Sequence, residues 1–192
     1  MLRRCSLETE AVASLLMEVQ PALTSAVSTG AREHVARLQA QGIEFYGYAL
    51  LPGEPFNIGN LVAVTNSEAD IQVPPGDEEY FEYRFAVDEW AHWWHDELSA
   101  ANALLAEANE RFASLHTRNP DGFEMDEVEV AYSEGLLEAV VSGLYAAKTS
   151  GTFGDKEPFL VVWMSDSDAA IITESVSRLN LPAIADEFIA AF

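Results

Sequence analysis

The chain has 192 residues, with 32 Asp and Glu against 10 Lys and Arg, and a formal net charge of −22. A surface of that sign repels polyanions, and the sequence holds none of the Lys/Arg clusters that phosphate contacts need, which argues against nucleic acid as a partner. Disorder does not explain the acidity either: at 49% hydrophobic and 10% aromatic the chain has material for one domain with a sizeable core.

Leu7 to Gln20 places Val12, Leu15, Leu16 and Val19 on one helical face. Pro21 is expected to break or restart that helix. A second run sets Leu23, Val27, Ala31, Val35 and Leu38 at intervals of three or four, with His34 as a partly buried neighbour. Gly42 stands where a left-handed C-terminal residue belongs. Ile43 to Leu51 and Asn60 to Asn66 read as an antiparallel hairpin around a loop of roughly seven residues. Their apolar runs predict a sheet covered by helices on both faces. After an acidic loop, Pro74 to Glu79, the alternation of Phe81, Tyr83 and Phe85 predicts a third strand over Tyr80 to Phe85.

Val87 to Trp94 predicts a helix with Asp88 and Glu89 in its first turn, and Leu98 to Leu115 continues the helical pattern. Asn119-Pro120-Asp121-Gly122 is the strongest turn signal. Met125 to Ala147 carries Val130, Leu137, Val140, Val141 and Leu144 on one face, with Ser142-Gly143 as a small-residue packing site and Gly151 at the end. Pro158 to Met164 reads as a buried strand, and Ala169 to Leu179 and Ile184 to Phe192 as two short helices separated at Pro182. The fold class expected is α+β: a single domain over residues 1–192 with a mainly antiparallel sheet of about four strands packed against several helices.

Cys5 is the one cysteine, which rules out an intrachain disulfide and a multi-cysteine zinc site. Met1-Leu2-Arg3-Arg4 opens like a signal peptide, but Glu8, Glu10 and Glu18 interrupt any apolar segment. No run approaches the roughly 18 apolar residues that span a bilayer. A cytoplasmic protein that does not enter the membrane is expected.

The densest chemical stretch is Asp88 to Glu97. On a helix, His92 and His95 would lie one turn apart with Glu89 and Asp96 near His92, close enough to share a metal ion. The spacing is not HExxH, and the ordinary reading is a helix that buries tryptophans and leaves its histidines outside. Glu89, His92 and His95 are thus candidate catalytic residues, and the same three with Asp96 candidate metal ligands. Asp166 and Asp168 follow a strand, where capping is their commoner use. Gly151-Thr152-Phe153-Gly154 with Lys156 lacks the ending of a phosphate loop. No serine stands in a nucleophile elbow, and His116 reads as a surface histidine at a helix C-terminus. No motif indicates a cofactor.

The acidity is concentrated. From Glu68 to Glu138, 19 acidic residues stand against Arg84, Arg111 and Arg118, a balance of −16 out of −22. Solubility, adaptation to high salt and docking of a basic partner each account for such a segment. The two lysines, Lys148 and Lys156, beside eight arginines hint at the second. For the third, the candidate interaction face comprises Asp77, Glu78, Glu79, Glu82, Asp126 and Glu127.

The order of landmarks resembles the bacterial family DUF4303, a domain of unknown function. The similar features are Phe45-Tyr46-Gly47-Tyr48-Ala49-Leu50, Thr65-Asn66, Tyr83-Arg84-Phe85 leading to Glu89-Trp90, Gly151-Thr152-Phe153-Gly154, Phe159 to Trp163 with Ser165-Asp166, and Leu179-Asn180. Val87 stands where a proline would be expected to open a helix. The resemblance transfers no catalytic residue. By analogy with small acidic immunity proteins, the chain is expected to be a non-catalytic interaction module that binds a basic protein partner. A metal-dependent enzyme built on Glu89, His92 and His95 is the alternative, and the oligomeric state stays open.

Overall fold

The computed structural model describes residues 2–54, 57–117, 125–155, 157–165 and 170–192. In chain order these form α1 (Leu2–Ala40), β1 (Gly47–Glu54), β2 (Asn57–Asn66), α2 (Tyr80–Phe85), β3 (His92–Trp94), α3 (Ser99–Leu115), α4 (Glu127–Thr149), β4 (Phe159–Val162), α5 (Ala170–Leu179) and α6 (Pro182–Ala191), with short 3-10 turns at Glu68–Asp70 and Val87–Glu89. The strands make one mixed sheet in the order β3-β2-β1-β4. Its β1–β2 and β2–β3 pairs are antiparallel and β1–β4 is parallel. Among the described residues this is the expected α+β fold, with a mostly antiparallel four-stranded sheet and six helices.

Helix α1 runs unbroken through Pro21, contrary to expectation. Its stripe of Val12, Leu15, Val19, Leu23, Val27, Ala31, Val35 and Leu38 is buried from end to end. An interior proline costs about 3 kcal/mol, whereas each of the larger buried side chains contributes about 1.5–3 kcal/mol. Hydrogen bonds to α4 flank the proline: Gln20 Nε2 donates to the Gly135 carbonyl at 2.9 Å and Thr24 Oγ1 to that of Ala139 at 3.2 Å. Gly143 is the close-packing residue its sequence context suggested, since a Cβ there would lie 2.7 Å from Val27 Cγ1 and 2.8 Å from the Thr24 carbonyl oxygen. Gly42 and Gly151, with φ of 70° and 80°, take the left-handed conformation that ends α1 and α4.

Both faces of the sheet are covered. Tyr48 points toward α1, where its hydroxyl lies 3.1 Å from His34 Nδ1. The opposite face, with Gly47 beside Phe159, meets Trp90, Phe85 and Phe188. His34 is completely buried rather than partly so. Burial lowers its pKa to about 4, with Glu97 opposing and Arg37 reinforcing the shift.

Side-chain amides close the sheet edges. β3 pairs only Ala63 to Thr65 of β2. Beyond it, Asn102 of α3 accepts from Leu61 N at 2.7 Å and donates to Leu61 O at 3.1 Å, while Asn109 donates to Ile58 O at 3.0 Å. On β4, Asn180 accepts from Leu160 N at 2.8 Å and donates to Leu160 O at 2.7 Å, and Ser175 Oγ accepts from Val162 N at 3.0 Å. Groups that would otherwise template another strand are thereby satisfied.

Three local expectations are corrected. Hairpin pairing continues to Glu54 opposite Asn57, so the strands run further than expected and the wide loop does not form. Tyr80–Phe85 is helix α2, because its aromatic spacing also fits i,i+4: the Phe81 and Phe85 rings meet at 5.0 Å and both pack on Phe188. Val87 to Trp94 is a 3-10 turn followed by strand β3, in which Trp94 Nε1 donates to Thr65 Oγ1 at 3.0 Å. The turn at 119–122 and the aspartates at 166 and 168 lie outside the described residues.

Candidate functional site

The change from helix to strand separates the expected metal ligands. His92 lies on β3 and His95 beyond its end, so the one-turn spacing that would aim both rings at one ion is absent. Glu89, His92, His95 and Asp96 are all exposed. His92 Nε2 turns instead to Asp70 Oδ2 at 3.2 Å. Asp70 is held below the usual carboxylate range, first by its hydrogen bond from Ser67 Oγ and, with burial opposing, by the Ser67 backbone N–H and His92.

The six residues of the expected interaction face fall into two groups. Asp77, Glu78, Glu79 and Glu82 lead into and lie on α2, which is anchored where the β1–β2 pair opens: Tyr46 Oη donates to the carbonyls of Arg84 at 2.9 Å and Tyr83 at 3.3 Å, and accepts from Asn66 Nδ2 at 3.0 Å. Asp126 and Glu127 open α4 near the hairpin end, which Asn109 reaches through Ile58 while accepting a hydrogen bond from Tyr132 Oη at 3.1 Å. The length of β1, about 3.3 Å per residue, separates the two groups.

The α2 end carries a cavity of about 660 Å³ lined by Tyr46, Phe85, Phe159 and Arg84 and by Glu44, Glu68, Glu157 and Glu187. Arg84 lies with its Cζ 4.7 Å from the centre of the Tyr46 ring. It donates to Glu68 Oε1 at 3.1 Å and to Tyr80 Oη at 3.3 Å. Burial opposes its charge, but the hydrogen bond and charge of Glu68 outweigh that and raise its pKa. Burial also pushes the Tyr46 hydroxyl up to about 12 despite the opposing Asn66 hydrogen bond, so it stays protonated and donates. Among the described residues the cavity therefore combines aromatic walls with glutamate carboxylates and one arginine, Arg84, which Glu68 engages. Sequence patterns pointed to the acidity of α2 but not to this cavity, which gathers residues from distant parts of the chain.

Elsewhere arginines are engaged by carboxylates: Arg37 with Glu97, Arg111 with Glu18 and Arg178 with Glu138. By contrast, among the described residues Asp77, Glu78, Glu79 and Glu82 enter no ion pair. Among the described residues, these four carboxylates are thus left as negative surface without an ion-pair partner.

A second cluster was not foreseen. His116 caps the C-terminal end of α3 and is buried rather than on the surface. The donor atoms of His116, Asp126 and Glu129 all lie within 4.8 Å of one another. The sequence signal lay in Asp126-x-x-Glu129, a capping box: Asp126 Oδ1 accepts from Val128 N and Glu129 N, both at 2.9 Å, and Glu129 Oε2 from Asp126 N at 3.0 Å. Nothing in the spacing marked His116 as its neighbour.

No helix among the described residues is long and apolar enough to cross a membrane. No curated protein and no solved structure matches the chain. A family model described as a domain of unknown function matches residues 23–181, spanning the hairpin, the Arg84 to Trp90 segment and β4; the chain belongs to the DUF4303 family.

Proposed function

We propose that this protein is a non-catalytic interaction module, immunity-like and cytoplasmic, that binds a basic protein partner through its α2 end. The observation that carries this reading is the coincidence of unpaired surface acids at Asp77, Glu78, Glu79 and Glu82 with the glutamate-lined aromatic cavity beside them. Aromatic faces and carboxylates together suit a lysine or arginine side chain, through cation–π and charge-assisted hydrogen bonds. The surrounding negative field speeds encounter with a basic surface. Asp126 and Glu127, at the far end of β1, are not part of this face.

The test is affinity capture from the source cells with wild-type protein, D77K/E79K, and a control, E107K/E110K, which changes net charge equally on the exposed face of α3. A basic protein retained at about 50 mM salt and released at about 500 mM by wild type and control, but not retained by D77K/E79K, supports the proposal. Recovery of no basic partner, or equal retention by all three proteins, overturns it.

A further inference from the structure

The cluster joining α3 to α4 has the composition and spacing of a cation site. We propose that His116, Asp126 and Glu129 bind one divalent first-row metal ion, Zn²⁺ fitting the donor set best. One imidazole nitrogen with two carboxylate oxygens is a common set for such ions, and three protein ligands leave a position open for water or another ligand. Here His116 and Glu129 also line a cavity of about 430 Å³, together with Asn109, Met125, Tyr132 and Ser133. The open position would face that space.

The His116 ring carries the argument. The residue is 8% exposed, and both ring nitrogens are enclosed without a hydrogen bond. Nε2 nevertheless lies 3.1 Å from Asp126 Oδ2, and Nδ1 lies 3.8 Å from Glu8 Oε2 on α1. The first separation is of hydrogen-bond length, but the alignment is not that of a donor and its acceptor. Two bonds of about 2.1 Å to one ion, meeting between a right angle and the tetrahedral angle, place their donors about 3.0–3.4 Å apart. Nε2 and Oδ2 stand at that distance.

The composition of the cluster agrees. Glu8, Asp126 and Glu129 bring three carboxylates to one imidazole. The positive end of α4 offsets part of their charge and by itself disfavours a cation there. The division of labour in Asp126 leaves room for it, since Oδ1 caps the helix while Oδ2 faces His116.

Titration of the untagged full chain with Zn²⁺, followed by calorimetry and by native mass spectrometry, tests the site. One equivalent is expected to bind wild type and raise its melting temperature. H116A and D126N should each weaken this binding at least about 30-fold, a change in the range of affinity losses at metal sites. D126N is the decisive variant because asparagine also caps helices well and keeps the fold. D77N/E78Q, altered at exposed carboxylates of the other end, should retain the equivalent. Absence of a stoichiometric ion, or binding unchanged in both H116A and D126N, overturns the assignment.

Discussion

The six-membered ring of the Trp90 indole lies against Gly47 of β1, so closely that a Cβ at that glycine would sit 2.8 Å from Trp90 Cζ2 and closer still to Cη2. The contact sits over Phe159, the register partner of Gly47 in β4, and its indole N–H donates to the Arg84 carbonyl at 3.3 Å. This packing brings the Arg84 segment onto the sheet and so shapes one wall of the acidic cavity. Gly47→Ala should lower stability by about 1–3 kcal/mol, the usual cost of overpacking a core. Urea denaturation measures it, and an unchanged midpoint would show that Trp90 can move aside.

Asn180 does for Leu160 what a neighbouring strand would do, satisfying both its N–H and its carbonyl. Leu160 is fully buried, so Asn180→Ala strands two polar groups. A loss of about 2–4 kcal/mol is expected, with increased self-association at the uncovered β4 edge. Denaturation and light scattering together check this. Asn102→Ala, acting on Leu61 of β2 in the same way, should behave alike.

His34 gives the fold an acid sensitivity whose sign is fixed. Its folded-state pKa of about 4 lies below the ordinary 6.5, so the unfolded chain takes up a proton first as pH falls. The stability associated with neutral His34 is complete above pH 6.5, declines between 6.5 and about 4, and is lost below that. A shift of this size corresponds to about 3 kcal/mol. His34→Gln offers Tyr48 a polar partner without titrating in this range. Stability measured from pH 7 to pH 4 should fall less steeply in the variant, and parallel curves would refute the assignment.

The large apolar patterns were legible in the sequence. The stripe along α1, the faces of α3 and α4, and the apolar runs of β1, β2 and β4 follow from periods of 3.6 and 2. Between Tyr80 and Trp94 the same reasoning exchanged a helix for a strand. Phe81, Tyr83 and Phe85 alternate, yet Phe81 and Phe85 also stand four apart, and contact with Phe188 of α6 selects the helix. Trp93 and Trp94 follow one another in a short segment where pairing with Ala63 to Thr65 outweighs helical pattern. Pro21 was overridden by packing on both sides of it.

Sites were less legible than elements because they assemble across helix ends. His116 and Asp126 meet only when α3 and α4 are placed, and the Arg84 cavity draws on residues from Glu44 to Glu187. The acidic face was visible as composition. Its division by the length of β1 was not, since Glu82 and Asp126 belong to one continuous acidic stretch in the sequence.

The central claim is that charge at the α2 end, rather than net charge, governs binding of a basic partner. Its most direct measurement is the dissociation constant of the captured partner for wild type, D77K/E79K and E107K/E110K at low salt. Both variants reduce the net charge equally. The account predicts an affinity loss of at least about tenfold for D77K/E79K, or 1.4 kcal/mol, with E107K/E110K close to wild type; equal losses in the two variants would contradict it.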